Sequence, residues 1–256
     1  MSLKKQYLIA NWKMELLPKE ERALLEKLPL VLKKKKKSLK VIVCPSFVSL
    51  VSATQIKKYS SAIFDVGAQD CHWEERGAYT GEISAKALVS LGCRYVLIGH
   101  SERRVHNNED ETVLRNKLQA AFNARLQPIF CIGETRDDRT NGKTLSRLRQ
   151  QLSSAFSNCT MKRNQLICIA YEPVWSIGSG TPLNADDLTK EIQFIKEWLT
   201  THLSSHPHVV LYGGSVDERS VSNYLSPKTG IDGLLVGSAS QSVKRLSKIV
   251  SLMSLS

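Results

Sequence analysis

The sequence contains no long apolar run. None of its 256 residues lies in a stretch that approaches the roughly 20 apolar residues a membrane-spanning helix needs, so we expect no membrane association. The first five residues lead directly into a strand-like run, and no apolar signal segment follows them. We therefore expect a protein that is not secreted.

Cysteines at metal-binding spacing are also missing. The six cysteines show no CxxC pair and no zinc spacing. Several lie in apolar strand-like runs, where a thiol behaves as a small hydrophobe. We expect free thiols in a reducing cytoplasm and no metal site. No glycine-rich dinucleotide turn follows the first predicted strand, so we expect no nucleotide cofactor either.

Charge, in contrast, is abundant and unbalanced. The net charge is +12, from 36 basic and 24 acidic side chains. The densest basic cluster covers residues 33–37, with Lys40 nearby, and is typical of a helix C-terminus followed by a solvated turn. Nucleic-acid binding is the alternative, but no aromatic residue interleaves these lysines and no nucleic-acid motif is present. We therefore do not expect a nucleic-acid partner, although the positive charge can attract an anionic metabolite.

Short apolar runs alternate with longer helical patterns along the chain. Eight runs are apolar on consecutive residues and bounded by Gly, Pro or polar turns, which is typical of strands buried on both faces. They cover residues 7–10, 41–44, 62–67, 94–98, 128–131, 166–171, 209–212 and 233–236. Strands alternating with helices predict a parallel sheet. Eight such units in about 250 residues predict an α/β fold, a single (β/α)8 barrel domain over residues 1–256, rather than an open doubly wound sheet.

Chemically capable residues follow several of these predicted strands. Active sites of such barrels lie at the C-terminal ends of the strands. Asn11 and Lys13 follow the first strand, His100 the fourth and Glu172 the sixth, while glycine-rich segments follow the seventh and eighth. If the barrel forms, these residues converge on one mouth.

Six segments resemble the triosephosphate isomerase family, in the expected order and over essentially the whole chain. They are Asn-Trp-Lys-Met at 11–14, Gly-Ala-Tyr-Thr-Gly-Glu-Ile-Ser at 77–84, Ile-Gly-His-Ser-Glu-Arg-Arg at 98–104, Ala-Tyr-Glu-Pro-Val-Trp at 170–175, Tyr-Gly-Gly-Ser-Val at 212–216 and Leu-Val-Gly at 235–237. The resemblance implies a cofactor-free isomerase of glycolysis and gluconeogenesis. It would interconvert dihydroxyacetone phosphate and glyceraldehyde 3-phosphate, a small phosphorylated triose, through an enediolate.

The resemblance also implies catalytic roles. Glu172 is expected to be the base and His100 a neutral electrophile, which is the pairing known for this family. Lys13 is expected to supply a fixed positive charge to the phosphate and to the developing oxyanion. Asn11 would orient Lys13 or contact the substrate, and Glu102 would pair with Lys13 or simply occupy the first turn of its helix.

Further residues are expected to bind phosphate or to support the site. Backbone N–H groups at Gly178, Ser215, Gly237 and Ser238 would hold the phosphate. The family usually has a second glycine where this chain has Ser238, which can still offer its N–H. Residues 176–180 resemble a lid, with a Thr-Pro-Leu hinge at 181–183.

Four other residues belong to the implied site or to its surroundings. Ser101 is expected to cap the helix after His100, and Cys131 to support the site from behind. Thr80 lies in a long loop that, by resemblance, inserts into a second subunit and supports Asn11 or Glu102 there, so we expect a homodimer. Met14 resembles a residue that this loop buries.

Other functions remain open to a barrel of this kind. The same fold could host a different phosphosugar isomerase or lyase. A Schiff-base lysine at a strand end would distinguish that case, and no predicted strand ends in Lys. A non-catalytic binding barrel is the other alternative, against which the joint presence of Glu172, His100 and Lys13 argues.

Overall fold

Eight parallel strands form a closed barrel. The computed structural model describes residues 5–33, 35–60, 64–177 and 183–255. Each strand pairs with the next in chain order, and the last pairs with the first. The strands are Gln6–Asn11 (β1), Leu39–Cys44 (β2), Asp65–Ala68 (β3), Tyr95–Ile98 (β4), Gln127–Ile132 (β5), Ile167–Tyr171 (β6), His208–Tyr212 (β7) and Gly233–Val236 (β8). The predicted (β/α)8 architecture is confirmed.

Helices occupy the connections between the strands. Within the described residues they are Pro18–Leu32 (α1), Leu50–Tyr59 (α2), Ala85–Ser90 (α3), Ser101–His106 (α4), Glu111–Asn123 (α5), Arg136–Thr140 (α6), Thr144–Phe156 (α7), Ala185–His202 (α8), Val221–Tyr224 (α9) and Val243–Leu255 (α10). The predicted helical periodicity is confirmed where Leu148 and Leu152 in α7, and Ile192 and Ile195 in α8, turn inward and are buried. None of the described helices is long and apolar enough to cross a membrane.

Two apolar layers hold the barrel together. Successive side chains of a strand point to opposite faces of the sheet. Ile9 and Leu97 therefore belong to a cluster inside the barrel, whereas Leu8 and Val96 belong to the layer between strands and helices. Because both faces are buried, the strands are apolar on consecutive residues, as the sequence indicated.

Most strand boundaries match the prediction to within two residues. The structure extends β1, β2 and β5 to Gln6, Leu39 and Gln127, because their ladder pairing continues beyond the apolar run. The third strand is shorter than predicted and begins at Asp65, and residues 62 and 63 of its predicted range lie outside the described part of the chain.

The lysine cluster follows the end of α1. This helix ends at Leu32, with Lys33 as its C-cap, and Lys35 Nζ donates to the Leu39 carbonyl at 2.8 Å. The predicted helix end followed by a turn is confirmed for the described lysines, whereas Lys34 lies outside them. All six cysteines fall within the described ranges and are free, so the free-thiol prediction is also confirmed.

Candidate functional site

A cavity of about 480 Å³ opens at the C-terminal ends of the strands. Its lining includes the predicted site residues Asn11, Lys13, His100, Glu172, Ser215, Gly237 and Ser238, together with Gly213 and Gly214. The barrel thus brings together residues that are far apart in sequence. Gly178, predicted to contact phosphate, lies outside the described residues.

Glu172 is a buried carboxylate at the mouth of the barrel. It follows the last residue of β6, and its side chain is 3% exposed. Its Oε1 lies 3.6 Å from His100 Nε2, and its Oε2 has no hydrogen-bond partner among the described residues. The buried Cys131 side chain acts on this carboxylate from β5. Burial raises the pKa of Glu172, while the adjacent His100 ring and the Lys13 ammonium oppose that rise. The group is therefore a stronger base than a solvated glutamate, with one oxygen free to accept a proton.

Two glycines make room for this carboxylate. A Cβ at Gly213 would lie 2.7 Å from Glu172 Cγ, and a Cβ at Gly133 would lie 1.9 Å from the Glu172 carbonyl oxygen. Such distances are too short for any side chain at either position. Gly213 therefore serves the packing of the base, in addition to its place in the predicted phosphate loop.

His100 begins the helix that carries the next part of the site. Its Nδ1 accepts the backbone N–H of Glu102 at 3.3 Å, so His100 is the N-cap of α4. The prediction that Ser101 caps this helix is wrong, because Ser101 is already its first helical residue. An Nδ1 that accepts a hydrogen bond leaves the ring proton of a neutral imidazole on Nε2. The N–H therefore faces Glu172 and the cavity.

Lys13 is held in an uncommon backbone conformation. Its φ is 54°, in the left-handed region that residues other than glycine seldom adopt. The Asn11 side chain accepts the Lys13 backbone N–H at 3.1 Å, and Gln69 Nε2 donates to the Lys13 carbonyl at 2.8 Å. The Lys13 ammonium lies 2.5 Å from Glu102 Oε1, which confirms the predicted pairing. These hydrogen bonds fix the position of the Lys13 ammonium group, and they offset the cost of the positive φ.

Gln69 was missed by sequence reasoning. Its amide also donates to the Cys44 carbonyl at 3.1 Å, and so ties the ends of β1 and β2 to the residue that follows β3. A signal was available, since Gln69 follows a predicted strand at the same edge of the sheet. Its neutral side chain has no acid–base chemistry of its own, so the residue types alone do not mark it as part of a catalytic site.

The described residues of the predicted phosphate-binding segments line the same cavity. A Cβ at Gly237 would lie 3.4 Å from Lys13 Cε, so this glycine lies against the Lys13 side chain. Ser238 is exposed and starts a 3₁₀ turn, Ser238–Gln241, and it does not adopt a positive φ. A serine is therefore accommodated here without backbone strain. The Ser215 hydroxyl donates a short hydrogen bond to the Ser176 carbonyl.

The chain leaving Glu172 is tied down by buried groups. It forms a 3₁₀ turn, Val174–Ser176, whose Trp175 donates its indole N–H to Glu134 Oε1 at 2.8 Å. Beyond residues 178–182, which lie outside the described part, the Leu183 backbone N–H donates to the Tyr212 hydroxyl at 3.3 Å. Of the predicted hinge, only Leu183 is described.

The predicted dimer loop is exposed on this chain. Thr80 lies at its turn, and Tyr79 is 44% exposed. On the first-strand loop, Met14 is 94% exposed beside a second cavity of about 300 Å³ that Asn11, Lys13 and Glu102 also line. A large apolar side chain is thus in solvent directly beside the site.

Among the described residues, no group of three or more His, Cys, Asp or Glu side chains could hold a metal ion.

Known proteins resemble the chain over nearly its full length. The family model described as triosephosphate isomerase matches residues 6–253. A triosephosphate isomerase of Dehalococcoides mccartyi (strain CBDB1) is 40% identical, over 92% of each chain. Those of Moorella thermoacetica and Dictyoglomus thermophilum are 37% and 36% identical, over 97% and 93% of this chain and 98% and 95% of their own. With this coverage and the matching geometry, the chain belongs to the triosephosphate isomerase family.

Proposed function

We propose that this chain interconverts dihydroxyacetone phosphate and D-glyceraldehyde 3-phosphate, as an isomerase that uses no cofactor. One observation carries the proposal: a buried Glu172 carboxylate lies 3.6 Å from His100 Nε2 in a cavity that Lys13 also lines. A base, a neutral donor and a fixed cation are the groups that proton transfer beside a carbonyl requires. Family membership supports the same assignment.

Glu172 acts as the base in this scheme. Its Oε2, which has no partner within the described part of the chain, takes the proton from C1 of dihydroxyacetone phosphate, and the electron pair left behind forms the enediolate. The same carboxyl group then returns a proton to C2, which gives the aldehyde. The raised pKa of Glu172 brings it closer to the pKa of a general acid–base catalyst at neutral pH.

His100 and Lys13 stabilise the negative charge that develops on the oxygens. His100 donates its Nε2–H, and a neutral imidazole can exchange that proton between the two oxygens of the enediolate. Lys13 supplies a charge that is already oriented by Asn11, Gln69 and Glu102 before the substrate arrives. Prior orientation matters because no reorganisation is needed when the charge appears.

Phosphate binding falls to the backbone of the last two strand ends. Ser215, Gly237 and Ser238 line the same cavity as the base, and Gly178 of the lid is proposed to join them. Binding at this remote group positions the reacting carbons beside Glu172.

A coupled assay on the purified protein tests the proposal, in both directions and with exhaustive chelation as a control. Incubation with dihydroxyacetone phosphate in deuterium oxide should exchange solvent deuterium into C1. Borohydride added with the substrate should not inactivate the enzyme, because no Schiff base forms. Inactivation by borohydride, or cleavage of a larger phosphosugar, would instead indicate a lyase on the same barrel.

We also propose that the active form is a homodimer. The exposed Met14, the cavity beside it and the exposed loop around Thr80 support this arrangement. Thr80 of each subunit would support Asn11 or Glu102 of the other.

Six free cysteines, five of them buried, suit a reducing cytoplasm, where we place the enzyme. We expect neither a membrane nor a nucleic-acid partner.

A further inference from the structure

Buried Glu134 holds the chain on both sides of the proposed base. Its side chain is fully buried. Its Oε2 accepts the Tyr171 hydroxyl at 3.0 Å and its Oε1 accepts the Trp175 indole N–H at 2.8 Å. Its carbonyl oxygen accepts the Val174 backbone N–H at 3.0 Å. Tyr171 precedes Glu172 directly, and Val174 and Trp175 follow it closely. The position of Glu134 therefore affects the position of Glu172.

Arg139 connects Glu134 to two more carboxylates. Its Nη1 lies 3.2 Å from both Glu134 Oε1 and Glu191 Oε1, and its Nη2 lies 2.7 Å from Asp187 Oδ2. Its guanidinium also lies 5.2 Å from the Trp175 ring. One cation thus serves three acids, and two of them, Glu134 and Glu191, share the same nitrogen.

Glu191 is the least satisfied of these acids. It lies on α8, is 4% exposed, and its Oε2 has no partner among the described residues. Glu134, Asp187, Tyr171 and Arg139 are the ionisable groups that act on it. Burial raises the pKa of Glu191 to about 7, with the negative charges of Glu134 and Asp187 adding to the rise and Arg139 opposing it. Its charge therefore changes near neutral pH.

We propose that Glu191 is a positioning residue of the site: it determines how closely Arg139 Nη1 pairs with Glu134, and thereby how firmly Glu134 holds Trp175 and the turn after Glu172. The effect on turnover rests on the proposed function, whereas the effect on Trp175 does not. Ionised Glu191 shares Arg139 Nη1 and leaves Glu134 Oε1 to the indole N–H. Protonated Glu191 releases Nη1 to Glu134, and the Trp175 hydrogen bond weakens.

Indole N–H resonances provide a direct test. The sequence contains four tryptophans, and the Trp175 signal can be assigned from its loss in Trp175→Phe. In the parent, this proton should move downfield as the pH rises through about 7. In Glu191→Gln, which is isosteric and uncharged, it should remain at its low-pH position throughout. A Trp175 signal that does not titrate in the parent, or that titrates identically in Glu191→Gln, overturns the proposal.

Kinetics and stability give two further readouts. Glu191→Gln should match the parent kcat at pH 6 and fall about two- to tenfold below it at pH 8, the range expected for one net hydrogen bond, with little change in KM. Because folding raises the pKa of Glu191 from 4.5 to about 7, ionisation costs stability as the pH rises between these values. The Tm of Glu191→Gln at pH 8 should therefore equal or exceed that of the parent.

Glu197→Gln is the matched control. Glu197 lies on the same helix, is exposed, and bonds only Gln193 among its described side-chain contacts. The substitution Glu197→Gln removes a carboxylate from the same helix without affecting Arg139, so kcat and the Trp175 titration should match those of the parent. A kcat ratio between Glu191→Gln and the parent that is the same at pH 6 and pH 8 would contradict the proposal. Absence of isomerase activity in the parent would overturn the proposed function and leave the Trp175 titration as a separate result.

Discussion

Glu172 is the residue on which the proposed chemistry depends most directly. Glu172→Gln keeps its size but cannot accept a proton at neutral pH, and should lose about 10²- to 10⁴-fold in kcat. Glu172→Asp keeps the carboxylate but withdraws it by about 1 Å, and misplacement on that scale can cost about 10²-fold. Both variants should still bind an inert phosphate-bearing analogue. If Glu172→Gln turns over within a few-fold of the parent, the base is another residue.

The burial of Glu172 makes a prediction about pH. Because burial raises the pKa of Glu172 above its ordinary value of 4.5, the free enzyme should lose its base as the pH falls through a midpoint higher than 4.5. A carbon NMR titration of glutamate-labelled protein, assigned from the signal missing in Glu172→Gln, measures that midpoint directly. A midpoint at or below 4.5 would show that the carboxylate is solvated in solution.

Residues with acid–base chemistry could be located from the sequence, and their supports could not. Glu172, His100 and Lys13 each follow a predicted strand, so barrel topology alone placed them at one mouth. Gln69 and Glu134 act through carbonyls, hydroxyls and an indole that become their partners only when the barrel closes. Glu191 lies on a helix, and the amphipathic pattern of that helix does not distinguish it from a glutamate at the surface. Its burial depends on Arg139, which is 52 residues away along the chain.

Two glutamine side chains, at opposite ends of the barrel, each donate to two backbone carbonyls. At the catalytic end, Gln69 Nε2 donates to the carbonyls of Lys13 and Cys44. At the other end, Gln127 Nε2 donates to those of Pro128 and Leu166 at 3.0 Å each. Each substitution by Leu removes two hydrogen bonds, each with a net contribution of about 1 kcal/mol. We expect similar losses of Tm, but a fall in kcat/KM of about tenfold or more for Gln69→Leu alone.

That contrast separates positioning from general stability. Thermal unfolding and steady-state kinetics of both variants provide the comparison, with the parent alongside. Equal falls in kcat/KM for Gln69→Leu and Gln127→Leu would mean that the Lys13 loop does not depend on Gln69. A loss of Tm without any loss of activity in Gln69→Leu would lead to the same conclusion.

Element boundaries show where sequence patterns reach their limit. The patterns predicted apolar strand interiors well, but not the polar residues Gln6 and Gln127 that continue the ladders. Similarly, Ser101 matched the usual composition of a helix cap, yet the imidazole of His100 took that position. The pattern favoured serine because serine caps are common, whereas the direction of the His100 ring depends on the strand that delivers it.

At the scale of the whole molecule, the alternation of strands and helices was sufficient to predict a closed barrel. Eight parallel strands in chain order leave two edges unpaired unless the last strand meets the first. The structure pairs Tyr7 with Gly233, and a Cβ at Gly233 would lie 2.1 Å from the Tyr7 carbonyl oxygen. Closure therefore depends on a glycine that the sequence presents only as the start of an apolar run.

Assembly is the remaining property of the whole molecule, and Met14 provides its test. An unpaired carboxylate buried in an interface costs several kcal/mol, so Met14→Asp should convert the proposed dimer into monomers at micromolar concentration. Its kcat should fall as well, because Met14 directly follows Lys13. Leu255→Asp is the control, since Leu255 is 84% exposed at the end of α10, and it should remain a dimer. Light scattering gives the masses. A parent that is monomeric and fully active, or a Met14→Asp variant that stays dimeric, would show that the Met14 surface is not the subunit interface.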